Sequence, residues 1–463
     1  MRSLRSMNKH IVSLFIVLAI TLGFPGAAFA AMPSFSGDQA IYLVDEKTGT
    51  VLVDQNGEEK FYPASTTKML TTLVALDYVA DKMDTKVTVG DEVNMVSTDS
   101  SLAEIKQGES LTWKELFYGL LLPSGNDAAI TISVNVARMA TGNNNLSNEE
   151  AVKRFVEMMN EKADEMGCET YNFVNPHGLH DDNHYMTAKD MYIISHEVLK
   201  NSDIAQIVKS PTYSHQTTTP NARPWRNTNF LVVDNGSAAL YPDVYENGQN
   251  PLYNKEATGV KTGFTDQAGR CLVFSANTDG KNLLGIIYKA ADNDVLYGQA
   301  NEVIESLKND YKQVTWTDEY NQMPAVKVKG NHFFDGNSLK LSTGNAASST
   351  VLKDKESQYS TSITLNDTTL EKVDDETYKV HADIKEGDEI GKLDVKFNGK
   401  DYQSFPIYAG NKMRQRNIVD FLFWALIVIL IIAFIVLARL YFVSRKNKTG
   451  KGAAHSGKRK KRL

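Results

Sequence analysis

The feature that most constrains this chain is an uncharged apolar segment near its C-terminus. The run from Phe421 to Ala438 contains no charged side chain, and its apolar character continues past Arg439 to Val443. At about 1.5 Å per residue, a helix of this length can cross a hydrocarbon core of about 30 Å, with Arg439 reaching the interface. A helix lying on a membrane surface would need a polar face, which this segment lacks. We therefore expect a single transmembrane helix over residues 418–443.

Charge on the C-terminal side of this segment indicates its orientation. Nine Lys and Arg residues and no acid occur from Ser444 onward. Such a run next to a spanning segment follows the positive-inside rule, so we expect residues 444–463 to form a basic cytoplasmic tail. A nucleic-acid-binding tail is the alternative interpretation of a basic run.

The first thirty residues have the composition of a secretory signal. A basic stretch precedes an apolar run from Ile11 to Phe24, and Ala28-Phe29-Ala30 provides the small residues of a cleavage site. We expect residues 1–30 to be a signal peptide that is cut after Ala30. An uncleaved N-terminal anchor is the alternative.

The charge of the intervening chain excludes one class of partner. The formal net charge is −6, but the first thirty residues contribute three positive charges and the residues from Ser444 onward nine, without any acid. The remainder therefore carries −18, which argues against nucleic acid as a partner. With only Cys168 and Cys271, a disulfide framework is excluded; two buried thiols are expected, and one bridge is the alternative.

Alternation and helical spacing divide the intervening chain into strands and helices. Two apolar runs, Ala40–Val44 and Val51–Val53, flank a Gly-containing turn and predict a β-hairpin. Helical spacing of apolar residues begins near Ser65, and Thr112-Trp113-Lys114-Glu115 has the capping-box pattern. The further predicted elements are helices over 112–122, 127–137, 149–166 and 295–311 and strands over 259–265, 270–276 and 283–288.

The order of these elements predicts the fold class. Strands at both ends and helices between them imply an antiparallel sheet with helices packed around it, an α/β (α+β) arrangement, which we expect over residues 31–313. From about Val314, short β-rich runs separated by Asn-Gly, Glu-Gly and Asp-Gly turns predict a small all-β domain over residues 314–412. This second domain contains no cluster of residues that could take part in catalysis, so we expect it to act as a spacer that holds the first domain off the membrane.

The motif Ser65-Thr66-Thr67-Lys68 is the first of three motifs whose residues could take part in catalysis. Positions i and i+3 share a face of a helix, so Lys68 can reach the Ser65 hydroxyl. A serine hydroxyl needs a base to act as a nucleophile, and a lysine can be that base only if burial or a nearby cation lowers its pKa from about 10.4 toward neutrality. Taken alone, the motif also fits a helix cap with a surface lysine.

The second and third motifs supply groups that a peptide substrate requires. Ser124-Gly125-Asn126 lies in a predicted break between helices, where the serine can relay a proton and the asparagine can orient an amide. Lys261-Thr262-Gly263 lies on a predicted strand. There the lysine offers charge to a carboxylate, the threonine offers a hydrogen bond, and the glycine lets a ligand approach the strand backbone closely. Each motif is weak alone, but all three in this order are typical of a serine acyl-transfer site.

With these motifs the chain resembles the low-molecular-mass penicillin-binding proteins of the D-alanyl-D-alanine carboxypeptidase type, a serine peptidase family related to β-lactamases. The match covers roughly residues 39–312, and it includes Phe173–Leu179 and Met186–Asp190 beside the three motifs. The resemblance implies a β-lactamase/transpeptidase-like catalytic domain that needs no cofactor and no metal. Many family members end in an amphipathic helix, whereas this chain has an apolar segment long enough to span.

The resemblance also implies roles for individual residues. Ser65 would attack the carbonyl between two D-alanines, Lys68 would accept its proton, and Ser124 would pass a proton to the leaving amine. Backbone N–H groups of Ser65 and Phe264 resemble the family's oxyanion hole, although some relatives carry His where this chain has Phe264. The substrate-binding residues that the resemblance implies are Asn126, Lys261, Thr262, Gly263 and Phe264.

The expected partners follow from the same resemblance. They are peptidoglycan stem peptides ending in D-Ala-D-Ala, β-lactam antibiotics as inhibitors, and the cell membrane, with the catalytic domain outside and no role for nucleic acid. A β-lactamase would use the same motifs, but no convincing deacylating Glu motif lies between the second and third of them. The motifs are also consistent with an endopeptidase or transpeptidase of the same family, and with a non-catalytic wall-binding scaffold that kept the fold.

A histidine-rich loop also has the donor types of a metal site. His177, His180 and His184, with Asp181 and Asp182, lie in a segment rich in Gly, Asn and Pro. Structural zinc usually requires a tighter ligand pattern, so we expect a solvated loop that shapes the rim of the cleft rather than a metal site.

Overall fold

A computed structural model describes residues 32–97, 99–214, 224–317 and 323–452. The expected signal peptide and the end of the basic tail lie outside the described residues.

The strands are β1 Ala40–Asp45, β2 Thr50–Gln55, β3 Lys86–Thr88, β4 Ser110–Thr112, β5 Thr212–Tyr213, β6 Trp225–Arg226, β7 Ala257–Thr265, β8 Gly269–Thr278, β9 Lys281–Ala290, β10 Tyr311–Thr315, β11 Val326–Lys329, β12 Ser338–Leu339, β13 Leu341–Ser342, β14 Ser348–Leu352, β15 Tyr359–Leu365, β16 Leu370–Lys372, β17 Thr377–Val380, β18 Glu389–Phe397 and β19 Lys400–Ala409. The α-helices are α1 Lys68–Val79, α2 Trp113–Leu121, α3 Asn126–Thr141, α4 Asn148–Glu165, α5 Ala188–Leu199, α6 Ser202–Lys209, α7 Asn235–Ala238, α8 Asn293–Asp310 and α9 Ile418–Gly452.

A five-stranded antiparallel sheet in the order β2-β1-β9-β8-β7 organises the first domain. Every residue of β1 is buried, because both faces of the sheet are covered. Ile41 and Leu43 pack with α8 on one face, and Tyr42 and Val44 pack with the core of the helical layer on the other. The predicted antiparallel sheet that joins both ends of the domain is therefore confirmed. Strand β7 forms one edge of this sheet, and that edge faces the candidate site.

The predicted helices are present, with shifted ends. Thr112 caps α2 through the expected capping box with Glu115, and a second capping box joins Ser147 and Glu150 at α4. Helix α8 ends at Asp310 rather than at the predicted Tyr311, because the buried Tyr311 begins β10.

A β-rich region follows α8 and packs against the first domain. Its sheets have the orders β10-β14, β12-β11-β17-β16 and β13-β19-β18-β15. Val351 and Phe397 share a hydrophobic cluster with α8, and Thr50 donates a hydrogen bond of 2.8 Å to Gln403. The expected boundary between residues 313 and 314 falls inside β10, which pairs with β14.

Helix α9 contains the apolar C-terminal segment. Residues Ile418–Arg445 are long and apolar enough to cross a membrane, and their large apolar side chains are exposed in the chain itself. At the start of the helix, Asp420 Oδ1 lies 2.8 Å from His332 Nε2, and the Phe333 ring lies near those of Phe423 and Trp424. Helix α9 thus begins directly against the β-rich region.

Candidate active site

Ser65 and Lys68 lie on adjacent turns of one helical segment, as their spacing predicts. Residues Ala64–Thr67 form a 3₁₀ turn, and α1 begins at Lys68. Ala64 has a φ of 47°, a left-handed conformation that is uncommon for a residue with a Cβ atom. The Lys68 Nζ atom lies 2.9 Å from the half-buried Ser65 Oγ atom. A nucleophile and a candidate base are therefore within hydrogen-bond distance.

The surroundings of Lys68 favour an uncharged amine. Its Nζ atom also donates to Asn126 Oδ1 at 2.8 Å and to the carbonyl oxygen of His177 at 2.7 Å. The side chain is fully buried. Burial lowers the pKa of Lys68 well below its ordinary range, the positive charge of Lys261 lowers it further, and Asp127 raises it. A buried amine with this pKa direction can act as a general base.

Ser124 and Lys261 form a second contact between hydroxyl and amine. Ser124 lies in the break between α2 and α3 with a φ of 63°, and Lys261 lies on β7. Lys261 Nζ donates to Ser124 Oγ at 3.0 Å and to the carbonyl oxygen of Thr262 at 2.8 Å. Burial lowers the pKa of Lys261 to about 7. The side chain therefore passes between its charged and neutral forms near physiological pH.

Gly263 brings the edge strand against the turn that contains Ser65. A Cβ atom at Gly263 would lie 3.0 Å from the Pro63 carbonyl oxygen and 3.1 Å from the Ser65 backbone nitrogen. A side chain here would have to push this backbone away by a few tenths of an ångström, so glycine suits the approach. The close approach of a ligand to this strand stays a prediction. Beside it, Thr262 Oγ1 lies 2.6 Å from Thr228 Oγ1, and the Phe264 ring is 48% exposed.

The histidine-rich loop is exposed at residues 181–183, but its two ends pack against the site. His184 is only 2% exposed, and its Nδ1 atom accepts from the Val174 N–H at 3.2 Å. The Nε2 atom therefore carries the proton and donates to Thr67 Oγ1 at 2.8 Å. Burial lowers the pKa of His184 to about 4 and that of His177 to about 3, so both rings are neutral.

The expectation of a solvated loop was wrong for His177 and His184, whose segments pack under the 3₁₀ turn at Ser65, whereas Asp181 and Asp182 are exposed as expected. Within the described ranges, no group of three or more His, Cys, Asp and Glu residues is arranged to hold a metal ion. Cys168 and Cys271 are both free and buried, which confirms the expected pair of thiols.

Several residues at the site were not predicted from the sequence. Asp127 accepts hydrogen bonds from the N–H groups of Ala103 (2.8 Å), Ile105 (3.1 Å) and Ala128 (2.9 Å), and so ties an extended segment to the start of α3. An acidic residue in the first turn of a predicted helix is a signal that could have identified Asp127. The sequence offers no comparable signal for Thr228 or for the His177 carbonyl oxygen, since their roles depend on distant packing.

Comparison with known proteins agrees with this geometry. A family model described as D-alanyl-D-alanine carboxypeptidase matches residues 27–292, and one described as penicillin-binding protein 5, C-terminal domain, matches residues 325–415. The D-alanyl-D-alanine carboxypeptidase DacF of Bacillus subtilis is 29% identical over 427 residues, which cover 89% of this chain and 97% of that relative.

Two solved structures extend the comparison. Penicillin-binding protein 5 from Haemophilus influenzae superposes with a TM-score of 0.62 at 25% identity, covering 83% of this chain and 99% of that one. The Streptomyces K15 DD-transpeptidase superposes with a TM-score of 0.51 at 26% identity, covering 59% and 98%. Since the first family model covers more than half of the chain and the three motifs meet in one cleft, the protein belongs to the D-alanyl-D-alanine carboxypeptidase family of serine peptidases.

Proposed function

We propose that this protein removes the terminal D-alanine from peptidoglycan stem peptides through an acyl-enzyme on Ser65. The observation that carries the proposal is the convergence of two contacts between hydroxyl and amine in one cleft. Ser65 lies 2.9 Å from Lys68, and Ser124 lies 3.0 Å from Lys261. One pair can activate the nucleophile, while the other can protonate the leaving group.

Acylation follows from the first pair. Neutral Lys68 accepts the Ser65 hydroxyl proton while Oγ bonds to the carbonyl carbon between the two D-alanines. The backbone N–H groups of Ser65 and Phe264 would stabilise the negative charge that develops on the carbonyl oxygen. The C–N bond then breaks, and the nitrogen of the leaving D-alanine takes the proton of the Ser124 hydroxyl. The proton that Lys68 took from Ser65 replaces it on Ser124, so Lys68 is neutral again. The positive charge of Lys261 favours release of that proton by the Ser124 hydroxyl.

Deacylation repeats this chemistry with water as the nucleophile. Lys68 accepts a proton from water as the water oxygen bonds to the ester carbon, and the bond from that carbon to Ser65 Oγ breaks. Protonated Lys68 returns its proton to Ser65 Oγ, and the shortened peptide leaves as an acid that loses its proton to solvent. Asn126 would orient the peptide amide, since its Oδ1 atom is held by Lys68 and its amide nitrogen remains for the substrate. A β-lactam would acylate Ser65 in the same way.

We further infer that the catalytic domain faces outward from the membrane. Residues 418–443 would span, residues 444–463 would lie in the cytoplasm, and residues 314–412 would hold domain 31–313 above the bilayer. Aromatic residues at the start of α9, including Trp424, and Arg439 with Arg445 near its end suit the two interfaces. Attachment of a dye to a cysteine introduced at Ser456, in intact and in permeabilised cells, tests this orientation.

A transpeptidase is the second candidate, because one structural neighbour is named as a DD-transpeptidase. It would use the same acyl-enzyme but transfer the acyl group to an amine instead of water. A β-lactamase is less well supported, because no carboxylate of the described residues hydrogen-bonds to Ser65, Lys68 or Ser124. A non-catalytic scaffold would not need two buried lysines beside two serines.

The test is incubation of the purified protein with a peptide that ends in D-Ala-D-Ala, with and without an acceptor amine. We expect free D-alanine and a shortened acid from the native protein and no D-alanine from Ser65→Ala. Transfer to the acceptor as the main product would favour the transpeptidase. An unreacted peptide together with failure to bind fluorescent penicillin would favour the scaffold.

A further inference from the structure

The turn between β11 and β12 exposes two phenylalanine side chains beside the start of α9. This segment, residues 332–336, is called the aromatic turn below. Phe334 is 70% exposed, and the centres of the Phe333 and Phe334 rings lie 4.1 Å apart. A contiguous apolar patch on a protein surface marks a place where another protein or a membrane makes contact.

Both rings of the aromatic turn pack against the first turns of α9. The centre of the Phe333 ring lies 5.7 Å from that of Phe423 and 5.5 Å from that of Trp424. The centre of the Phe334 ring lies 6.0 Å from that of Phe423. Phe423 and Trp424 are themselves exposed, so the turn and the helix present one continuous apolar surface.

The position of these contacts along α9 gives the level of the aromatic turn relative to a bilayer. Residues 418–443 extend about 39 Å as a helix, so a hydrocarbon core of about 30 Å leaves a few ångströms of helix among the headgroups at each end. Phe423 and Trp424 lie about 8 Å along the axis from Ile418. The rings of the turn therefore lie near the boundary between headgroups and acyl chains.

Two carboxylates at this level are paired within the protein. Asp335, whose side chain is 2% exposed, accepts from the Arg414 backbone N–H at 2.8 Å, from Nε at 3.1 Å and from Nη2 at 2.7 Å. His332 Nδ1 accepts from the Phe334 N–H at 3.3 Å, so Nε2 carries a proton and lies 2.8 Å from Asp420 Oδ1. Charges that are paired in this way cost less to place at a low-dielectric boundary than isolated ones.

Backbone contacts fix the aromatic turn to the chain that leads into α9. Asn331 forms an antiparallel bridge with Gln415. The Arg416 backbone N–H donates to the Gly330 carbonyl oxygen at 2.8 Å, and Arg416 Nε donates to the Asn331 carbonyl oxygen at 3.1 Å. The turn and the start of the helix are therefore held together on both sides of the ring contacts.

We propose that the aromatic turn enters the outer headgroup layer of the phospholipid bilayer beside α9, so that the β-rich region rests on the membrane at a fixed angle. This inference rests on the proposed spanning of α9. Phospholipid is the partner because the apolar surface of the turn continues the surface that α9 would present to lipid. A second contact of this kind keeps the β-rich region, and with it Ser65, at a constant height above the bilayer.

The test measures the depth of a bimane dye attached to Phe334→Cys in the full-length protein. The protein is reconstituted in vesicles of phosphatidylethanolamine and phosphatidylglycerol that contain lipids with a nitroxide quencher in the headgroup or along the acyl chain. We expect the dye to lie about 5–10 Å into the boundary between headgroups and acyl chains, the depth of an interfacial apolar face. Cys168 and Cys271 are buried, so native protein treated with the dye gives the background.

The matched control is Val373→Cys, an exposed apolar position at the opposite end of the same four-stranded sheet. Its dye should stay in water and escape quenching by lipid. Equal and weak quenching at Phe334 and Val373 would overturn the proposal. A blue-shifted dye at Phe334 that no lipid nitroxide quenches would also overturn it, because a protein surface such as a second copy would then cover the turn.

A dye on Leu430→Cys, in the middle of α9, separates this inference from the proposed anchor. Strong quenching of that dye deep in the acyl chains, with the Phe334 dye in water, would refute the aromatic turn alone, whereas a Leu430 dye in water would refute the spanning of α9. Thermal melting identifies a Phe334→Cys protein that does not fold. In that case Asn337→Cys, exposed directly after the turn, decides: quenching by the headgroup nitroxide supports the proposal, and its absence contradicts it.

Discussion

Two lysine side chains are buried within one cleft, and neither has a carboxylate as a direct hydrogen-bond partner among the described residues. Lys68 and Lys261 each bond to a serine hydroxyl and to backbone or amide oxygens. Burial of an amine without a counter-ion disfavours its charged form, which destabilises the fold but produces the neutral base that the chemistry requires. At the residue scale, the two buried lysines therefore lower the stability of the fold and raise the reactivity of the site.

Replacement of Lys68 by arginine tests the base directly. Arginine is always charged and cannot act as a base, so Lys68→Arg should lower the rate of acylation by a fluorescent penicillin by about 10²- to 10⁴-fold. In the native protein this rate should fall as the pH drops through the lowered pKa of Lys68, because the base becomes protonated. Stopped labelling reactions between pH 5 and pH 10 measure both effects. Labelling of Lys68→Arg at the native rate would contradict the role of Lys68.

Lys261 should make the stability of the fold depend on pH. Its pKa is lowered by burial from 10.5 to about 7, so between these values the unfolded chain binds more protons than the folded one. The free energy of unfolding should therefore rise with pH across this window, and the full penalty should be present below pH 7. Urea unfolding of Lys261→Met at pH 6, 8 and 10 should show a smaller slope and greater stability at pH 6. The exposed Lys47→Met is the control, and parallel curves for Lys261→Met and the native protein would refute the prediction.

At the scale of elements, the site depends on a loop packed beneath a helix start. The segment around His177 supplies a carbonyl oxygen to Lys68, and the Pro176 carbonyl oxygen accepts from Thr71 in α1. Gly178 adopts a φ of 84°, and a Cβ atom there would lie 1.9 Å from the Ala64 carbonyl oxygen. The loop can therefore approach the turn before Ser65 only with glycine at this position.

Gly178→Ala should destabilise the protein and slow acylation of Ser65. The added methyl group has to displace backbone, so we expect a loss well above the roughly 1 kcal/mol that a left-handed conformation alone costs an alanine. Gly108→Ala is the matched control, since Gly108 has a φ of 90° but nothing within 4 Å of an added Cβ atom. Thermal melting and penicillin labelling of both variants compare the two. Equal losses in the two variants would mean that contact with Ala64 is unimportant.

At the scale of the whole molecule, the β-rich region shares a hydrophobic cluster with the first domain, so we expect it to stabilise that domain. Residues such as Val351 and Phe397 lie in one hydrophobic cluster with Ile41, Leu43 and α8. Asp45 accepts from the Gln313 side chain at 3.0 Å, and Thr350 Oγ1 lies 2.9 Å from Thr48 Oγ1. The spacer expected from the sequence is thus packed against the sheet rather than joined to it by a free linker.

Two truncations separate anchoring from folding. A protein that ends at Asn417 lacks only α9 and the tail and should be soluble, fold, and keep native acylation of Ser65 by penicillin. A protein that ends at Asp310 loses the apolar side chains that the β-rich region packs against α8, each worth about 1.5–3 kcal/mol when fully buried, and should melt at a lower temperature or aggregate. Melting curves and penicillin labelling test both. A stable, active protein ending at Asp310 would show that the β-rich region is only a spacer.

Local signals explain why much of the fold could be predicted. The capping box at Thr112, the helical spacing after Ser65 and the apolar strands each depend on neighbours within a few residues. The ends of helices were predicted less accurately. Helix α3 was expected to end at residue 137 but runs to Thr141, and Gly142 then ends it in a left-handed conformation. The residues of the three motifs could also be named, because each motif is a pattern of three or four neighbouring residues.

The sequence by itself determined the membrane-length segment, the antiparallel sheet, and the set of serines and lysines that could perform acyl transfer. Only the tertiary structure decided the environment that makes them reactive. Lys68 donates to two acceptors, Asn126 Oδ1 and the His177 carbonyl oxygen, which lie 58 and 109 residues away along the chain. Arg270 likewise contacts Phe264 only because β8 pairs with β7. The pKa of a buried amine depends on everything within a few ångströms of it, and packing of distant segments, which no short pattern encodes, sets that neighbourhood.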